Sequence, residues 1–146
     1  PFLFVDKILS VTSPVGPDGK LQQVGTKVVG VKNATMNEPY FVGHFPTYPI
    51  TPGVVLIETM AQMASFAILP FLRTDAELRI QSKFDLRLAG VDNTRFRRPF
   101  LPGDTITISI DTVRQRGPIW GFQCKGEVDG QVVVESDILA SAVVEG

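Results

Sequence analysis

The chain has 146 residues, 14 basic and 15 acidic, for a formal net charge of -1, so bulk attraction to nucleic acid is not expected. Apolar residues make up 44% and charged residues 20%, as in an ordinary globular protein, and the length suits one domain over residues 1–146. One cysteine, Cys124, and one histidine, His44, exclude an internal disulfide framework and argue against a zinc or other metal site; a cytoplasmic setting is expected, and no secretory signal pattern is read.

Phe2–Val11 mixes large apolar and polar residues and is expected to hold a first strand. Ser13–Gly19 (SPVGPDG) reads as a turn. Leu21–Val31 alternates loosely and is rich in β-branched residues, which predicts a second strand. Asn33–Phe45 is irregular, with one short helical turn near Glu38–Val42. Thr51 then reads as an N-cap and Pro52 as the first residue of a long helix that runs to Pro70 or shortly after. Val54–Leu72 approaches membrane-spanning length. Glu58, Gln62 and Pro70 interrupt it, so a core helix enclosed by protein nearly all round is expected, not membrane insertion.

The second half reads as strands. Ile80–Gly90 is one, Arg95–Arg98 a short one, and Pro102–Gly103–Asp104 a turn. Thr105–Val113 alternates, with Ile106, Ile108 and Ile110 on one face. Ile119–Val128 follows the Arg116–Gly117–Pro118 turn; Asp129–Gly130 signals a hairpin, and Gln131–Val144 closes the chain. The sum is an α+β protein, one antiparallel sheet wrapped around one long helix.

Gly43–Gln62 (GHFPTYPITPGVVLIETMAQ) concentrates the chemistry. His44 sits in a loop flanked by Phe45, Pro46, Tyr48 and Pro49, and an imidazole suits proton transfer near neutrality. Glu58 is the one carboxylate of the apolar helix, where burial disfavours charge and suits a proton donor. The backbone N–H of Gly53 stands at the helix start, where a docked carbonyl would be polarised. Gln62 lies one turn after Glu58 and shares its face, placed to support that acid or hold a water, or else only to satisfy core hydrogen bonds. Together these parts fit β-elimination of water from a 3-hydroxyacyl compound, or its reverse, without a cofactor. Other readings stay open at this level: a structural histidine, a core glutamate paired to arginine, a packing glycine, or ester or thioester hydrolysis with similar parts.

The stretch resembles the (3R)-hydroxyacyl-[acyl carrier protein] dehydratases of fatty-acid synthesis, the FabZ type. The resemblance runs through PFLFVDKI at Pro1–Ile8, NEPYFVGHFP at Asn37–Pro46 and PITPGVVLIETMAQ at Pro49–Gln62. It continues in LAGVDNTRFRRPFLPGD at Leu88–Asp104 and RGPIWGFQCKGEVDGQVVVES at Arg116–Ser136. It implies a hot-dog fold and a homodimer, commonly assembled as a trimer of dimers. It implies a site between subunits, with His44 taking the C2 proton and Glu58 of the other chain protonating the leaving hydroxyl. Gly53 would bind the thioester oxygen, and an acyl tunnel would be lined by Phe45, Pro52, Val54, Ile57 and Ala61.

The sister dehydratase–isomerase group, the FabA type, carries Asp where Glu58 stands and usually Cys where this chain has Val54, so both positions favour the simple dehydratase. Tyr48 replaces a basic residue of many relatives, and Arg87 or Leu88 stands where relatives often place an aromatic tunnel gate. The acidic carrier protein implies a basic docking patch, for which Arg95, Arg97 and Arg98 are the candidates. Strand alternation would turn Arg95 and Arg97 one way and Arg98 the other. A hot-dog thioesterase, a bifunctional dehydratase–isomerase and a non-catalytic subunit are the competing readings.

Overall fold

A computed structural model describes residues 2–72, 75–77, 79–80 and 83–145. Six strands form one antiparallel sheet in the order β1-β2-β4-β5-β6-β3, with β1 at Lys7–Thr12, β2 at Lys27–Asn33, β3 at Lys83–Phe96, β4 at Thr105–Arg116, β5 at Ile119–Val128 and β6 at Gln131–Glu145. The helix α1, Gly53–Ala64, packs across one face of it. The expected arrangement of a sheet around a central helix is therefore present.

The pleat explains the packing. Along β4, Ile106, Ile108 and Ile110 are fully buried under the helix while their neighbours face out. Leu56, Met60, Met63 and Ala64 of α1 meet them, with Val28, Phe122, Val134 and Ile138 completing the core. Gly30 of β2 lets the helix approach closely, since a Cβ there would stand 3.0 Å from the sulfur of Met63. Asp129 and Gly130 both take positive φ, 50° and 76°, which gives the tight turn between β5 and β6 the twist its strands need.

Several boundaries differ from the sequence reading. Within Leu21–Val31 only Lys27 onward is strand; Leu21 forms an isolated bridge to Val15, and Gly25 at φ +93° breaks the run. Thr51 does not cap α1. Its N–H pairs with the Phe100 carbonyl, its hydroxyl is buried without a partner among the described residues, and Pro52 occupies the cap position. Pro52 itself stays extended, with ψ 136°, so the helix opens one residue later than predicted and Thr51 falls outside the cap. The α-helix stops at Ala64. Two 3-10 turns, Ser65–Ala67 and Leu69–Phe71, continue it, as the Ser65 hydroxyl takes the Gln62 carbonyl and Pro70 offers no N–H.

The two predicted strands at Ile80–Gly90 and Arg95–Arg98 are one strand, β3, which ends at Phe96. The interruption is a pair of bulges against β6, between Leu88 and Gly90 and between Asp92 and Arg95, with Asn93 at φ 52°. Pro1 of the first motif and Gln81–Ser82 of the predicted strand lie outside the described residues. The helix is also not enclosed all round. Gly53–Phe71 is long and apolar enough to cross a membrane, but it sits on the sheet as a core helix. Ile57, Glu58, Ala61 and Gln62 are only half-buried, and Val54 is 73% exposed. These positions recur at helical spacing and form one open stripe on the chain.

Candidate active site

His44 follows the 3-10 turn Pro39–Val42, whose Tyr40 carbonyl accepts the His44 N–H at 3.0 Å. That turn is fixed from beneath. Glu38 accepts from the Thr35 N–H and from the buried Lys32 ammonium at 2.6 Å. The imidazole Nδ1 lies 2.8 Å from the Ile50 carbonyl oxygen, and the Ile50 N–H returns to the His44 carbonyl at 2.9 Å. A carbonyl only accepts, so Nδ1 carries the proton and Nε2 keeps a free lone pair, the arrangement of a base. The Phe45 ring stacks on the imidazole at 4.4 Å between centroids.

A cleft of about 400 Å³ joins His44, Ile50 and Thr51 to Gly53 at the start of α1, and is closed by Phe96, Arg97, Arg98 and Phe100. As the first residue of α1, Gly53 has an N–H with no acceptor inside the helix. A Cβ on Gly53 would stand 2.7 Å from the far end of the Phe96 ring, so any larger residue here must displace that ring.

Glu58 lies elsewhere. Its Oε1 accepts a hydrogen bond from Gln62 Nε2 at 3.1 Å. It lines a separate cavity of about 220 Å³ between α1 and the sheet, with Ala61, Gln62, Ser65, Ile68, Leu86, Arg87, Leu88 and Phe122 among its walls. Both candidate gate positions, Arg87 and Leu88, therefore line the same cavity as the acid. Of the expected tunnel residues only Ala61 lines this cavity; Phe45, Pro52, Val54 and Ile57 line neither cleft. On one chain, His44 and Gly53 share a cleft, and Glu58 and Gln62 share another.

The arginines divide differently from the alternation rule. β3 ends at Phe96, so Arg97 and Arg98 stand beyond it, and both of their N–H groups turn to the Val133 carbonyl, at 2.7 and 3.4 Å. Both line the His44 cleft. The Arg97 guanidinium also makes two contacts to Glu135, at 2.9 and 3.1 Å. Arg95 lies within the strand and is exposed.

Sequence reasoning missed four contributing residues. Phe96 against Gly53 had a faint signal, an aromatic residue between basic ones on a strand. The Ile50 carbonyl had none, because any residue supplies it. Phe2 and Phe4, which bind Gln62, are far from it in sequence.

Residues 1–137 match the family described as FabA-like domain. Over all 146 residues the chain is 40% identical to a protein named 3-hydroxyacyl-[acyl-carrier-protein] dehydratase FabZ from Agrobacterium fabrum (strain C58), and spans 83% of that protein. The structure resembles that of a hot-dog-like protein from Thermanaerovibrio acidaminovorans with a TM-score of 0.62 at 19% identity, covering 82% of each chain. It also resembles a thioesterase superfamily member from Thermus thermophilus, TM-score 0.65 at 14% identity, covering 90% of this chain and 86% of that one. Those two likenesses concern the fold alone, which is the hot-dog arrangement.

Proposed function

The chain belongs to the FabA-like family, and from that premise we propose how its residues divide the work of a 3-hydroxyacyl-[acyl-carrier-protein] dehydratase. The activity is that of a hydro-lyase in fatty-acid biosynthesis. The C2–H and C3–O bonds break, the C2–C3 double bond forms, and water leaves.

His44 takes the C2 proton through Nε2. The Gly53 N–H, at the positive end of α1, holds the thioester oxygen as negative charge builds there. Glu58 of the partner subunit gives its proton to the departing 3-hydroxyl. The observation that carries the base assignment is the Ile50 carbonyl on Nδ1, which leaves Nε2 free beside the helix start. This acid–base route requires no cofactor.

The separation of His44 and Glu58 into two clefts supports a site shared between subunits. A second copy laid on the open stripe of Val54, Ile57, Glu58 and Ala61 would bring the partner's acid to His44, and dimers would assemble further as a trimer of dimers. The acyl chain then runs along the covered stripe into the cavity beside Glu58. The acyl carrier protein docks on Arg98 at the mouth of the His44 cleft and on the exposed Arg95 of β3, while Arg97 is engaged by Glu135. The setting is the cytoplasm.

Hydration of a crotonyl thioester tests the reading. Loss of enoyl absorbance without release of thiol is expected. Thiol release in place of hydration would overturn the assignment in favour of a thioesterase.

A further inference from the structure

Gln62 uses both ends of its side-chain amide. Oε1 accepts the Phe4 N–H at 2.9 Å. Nε2 donates to the Phe2 carbonyl at 2.6 Å and to Glu58 Oε1 at 3.1 Å. The amide thus pairs with the N-terminal segment as a strand neighbour would, oxygen to N–H and nitrogen to C=O. Which end of a glutamine faces which partner is set by its hydrogen bonds. Here the Phe2 carbonyl and the Phe4 N–H dictate the sense, and the second N–H of Nε2 is left to face Glu58. A reversed amide would lose both backbone bonds and set oxygen against the carboxylate.

We propose that Phe2–Phe4 is a positioning strap for the acid of the reaction, acting on Glu58 through Gln62. It rests on the role given to Glu58 above and deepens it. With an N–H on Oε1, Oε2 is the oxygen left to carry the proton that the leaving hydroxyl receives. The strap is held at its far end too. The Phe4 ring lies 5.4 Å from the buried Lys32 ammonium, the Asp6 N–H pairs with the Val31 carbonyl at 3.1 Å, and the Asp6 carboxylate accepts the Asn33 N–H at 2.6 Å. β2 therefore holds the segment that holds the glutamine. Phe2 itself is 67% exposed, so its carbonyl, not side-chain burial, makes its contribution.

The experiment compares Phe4→Pro, which deletes the N–H donor, with Phe4→Ala, which keeps it and deletes the ring. Gln62→Met deletes the amide at similar length. Each is made in the full chain and assayed for crotonyl-thioester hydration, with assembly checked by size. Phe4→Pro and Gln62→Met are expected to lower kcat about tenfold or more, the weight of one hydrogen bond to a charged group, with KM changed less than about twofold. Phe4→Ala is expected to lose much less, and the Phe4→Pro/Gln62→Met double variant to lose no more than the worse single one. Equal losses in the two Phe4 variants, fully additive losses, or unchanged kcat would overturn the strap. If Phe4→Pro does not fold, Gln62→Glu decides, because a carboxylate still accepts the Phe4 N–H but cannot donate to Glu58; full kcat in it counts against the strap. Glu58→Gln is run beside them. Full activity there defeats the role of Glu58, whereas an inactive Glu58→Gln beside a fully active Phe4→Pro defeats the strap alone.

Discussion

The imidazole Nδ1 of His44 lies 2.8 Å from the carbonyl oxygen of Ile50, and the two residues are joined a second time by the Ile50 N–H and the His44 carbonyl. The pairing commits the ring to one tautomer without any side-chain partner. His44→Ala is expected to lower kcat by about 10²–10⁴-fold, the usual weight of a positioned base. The bond to the Ile50 carbonyl and the stacking on the half-exposed Phe45 ring are lost, but the buried core is untouched, so the melting temperature is expected to fall by only a few degrees. Steady-state kinetics with a melting curve checks both halves.

His44 and Glu58 occupy different clefts of one chain, which makes mixing the informative measurement. His44→Ala and Glu58→Gln are each expected to be inactive. In a mixed dimer with two-fold symmetry, one site loses both groups and the other keeps both. Random exchange of subunits should therefore restore about one quarter of wild-type activity. A site built within a single chain predicts no recovery.

Gly53 touches the end of the Phe96 ring, and that ring is 51% exposed. Gly53→Ala can therefore push the ring aside, at a cost to stability of about 1 kcal/mol. The displaced ring has the His44 cleft beside it, so activity is expected to fall by more than stability does. Phe96→Ala in the same chain removes the obstacle and should restore part of kcat. A double-mutant cycle on activity and on denaturant midpoint separates the two effects.

Features written in local patterns were legible in the sequence. The spacing of Ile106, Ile108 and Ile110 announces a half-buried strand, and Asp129–Gly130 announces the turn between β5 and β6. Contacts between distant segments were not. Gln62 meets Phe4 and Phe2 across 58 and 60 residues, and Arg97 meets Glu135 across 38, pairings that no local period encodes. β3 read as two strands because its bulges place Gly90 and Asn93 where turn residues belong, although the ladder with β6 continues past both. Thr51 read as a cap because the residue type fits, but Pro52 stays extended and the helix opens one residue later.

Cys124 is 4% exposed on β5, and burial, with the nearby Asp137 charge, pushes its thiol up to about 12. Only the thiolate reacts with alkylating reagents. At about pH 8 the native protein is expected to resist iodoacetamide and to become labelled at the rate of its unfolding. Rapid labelling under native conditions would contradict the packing of β5.

Glu38 and Lys32 form the least exposed ion pair among the described residues, at 2.6 Å with 20% and 3% of their side chains exposed. Burial alone would raise the Glu38 carboxyl, but the Lys32 ammonium and the Thr35 N–H outweigh it and bring it below its ordinary value of 4.5. A carboxyl lowered on folding adds stability that is fully present above its unfolded-state value and is lost as the pH falls through the folded one. Glu38→Gln leaves the Lys32 ammonium buried without its counter-charge, at a cost of about 3 kcal/mol near neutral pH. The difference between wild type and variant should stay level from neutrality down to about pH 5 and shrink below about pH 4, as wild-type Glu38 takes up its proton. Because Glu38 anchors the turn whose Tyr40 carbonyl holds the His44 N–H, kcat should fall along with stability. Urea titrations across that range settle the first expectation; a stability gap that does not change with pH would mean that the Lys32 charge does not hold Glu38 ionised.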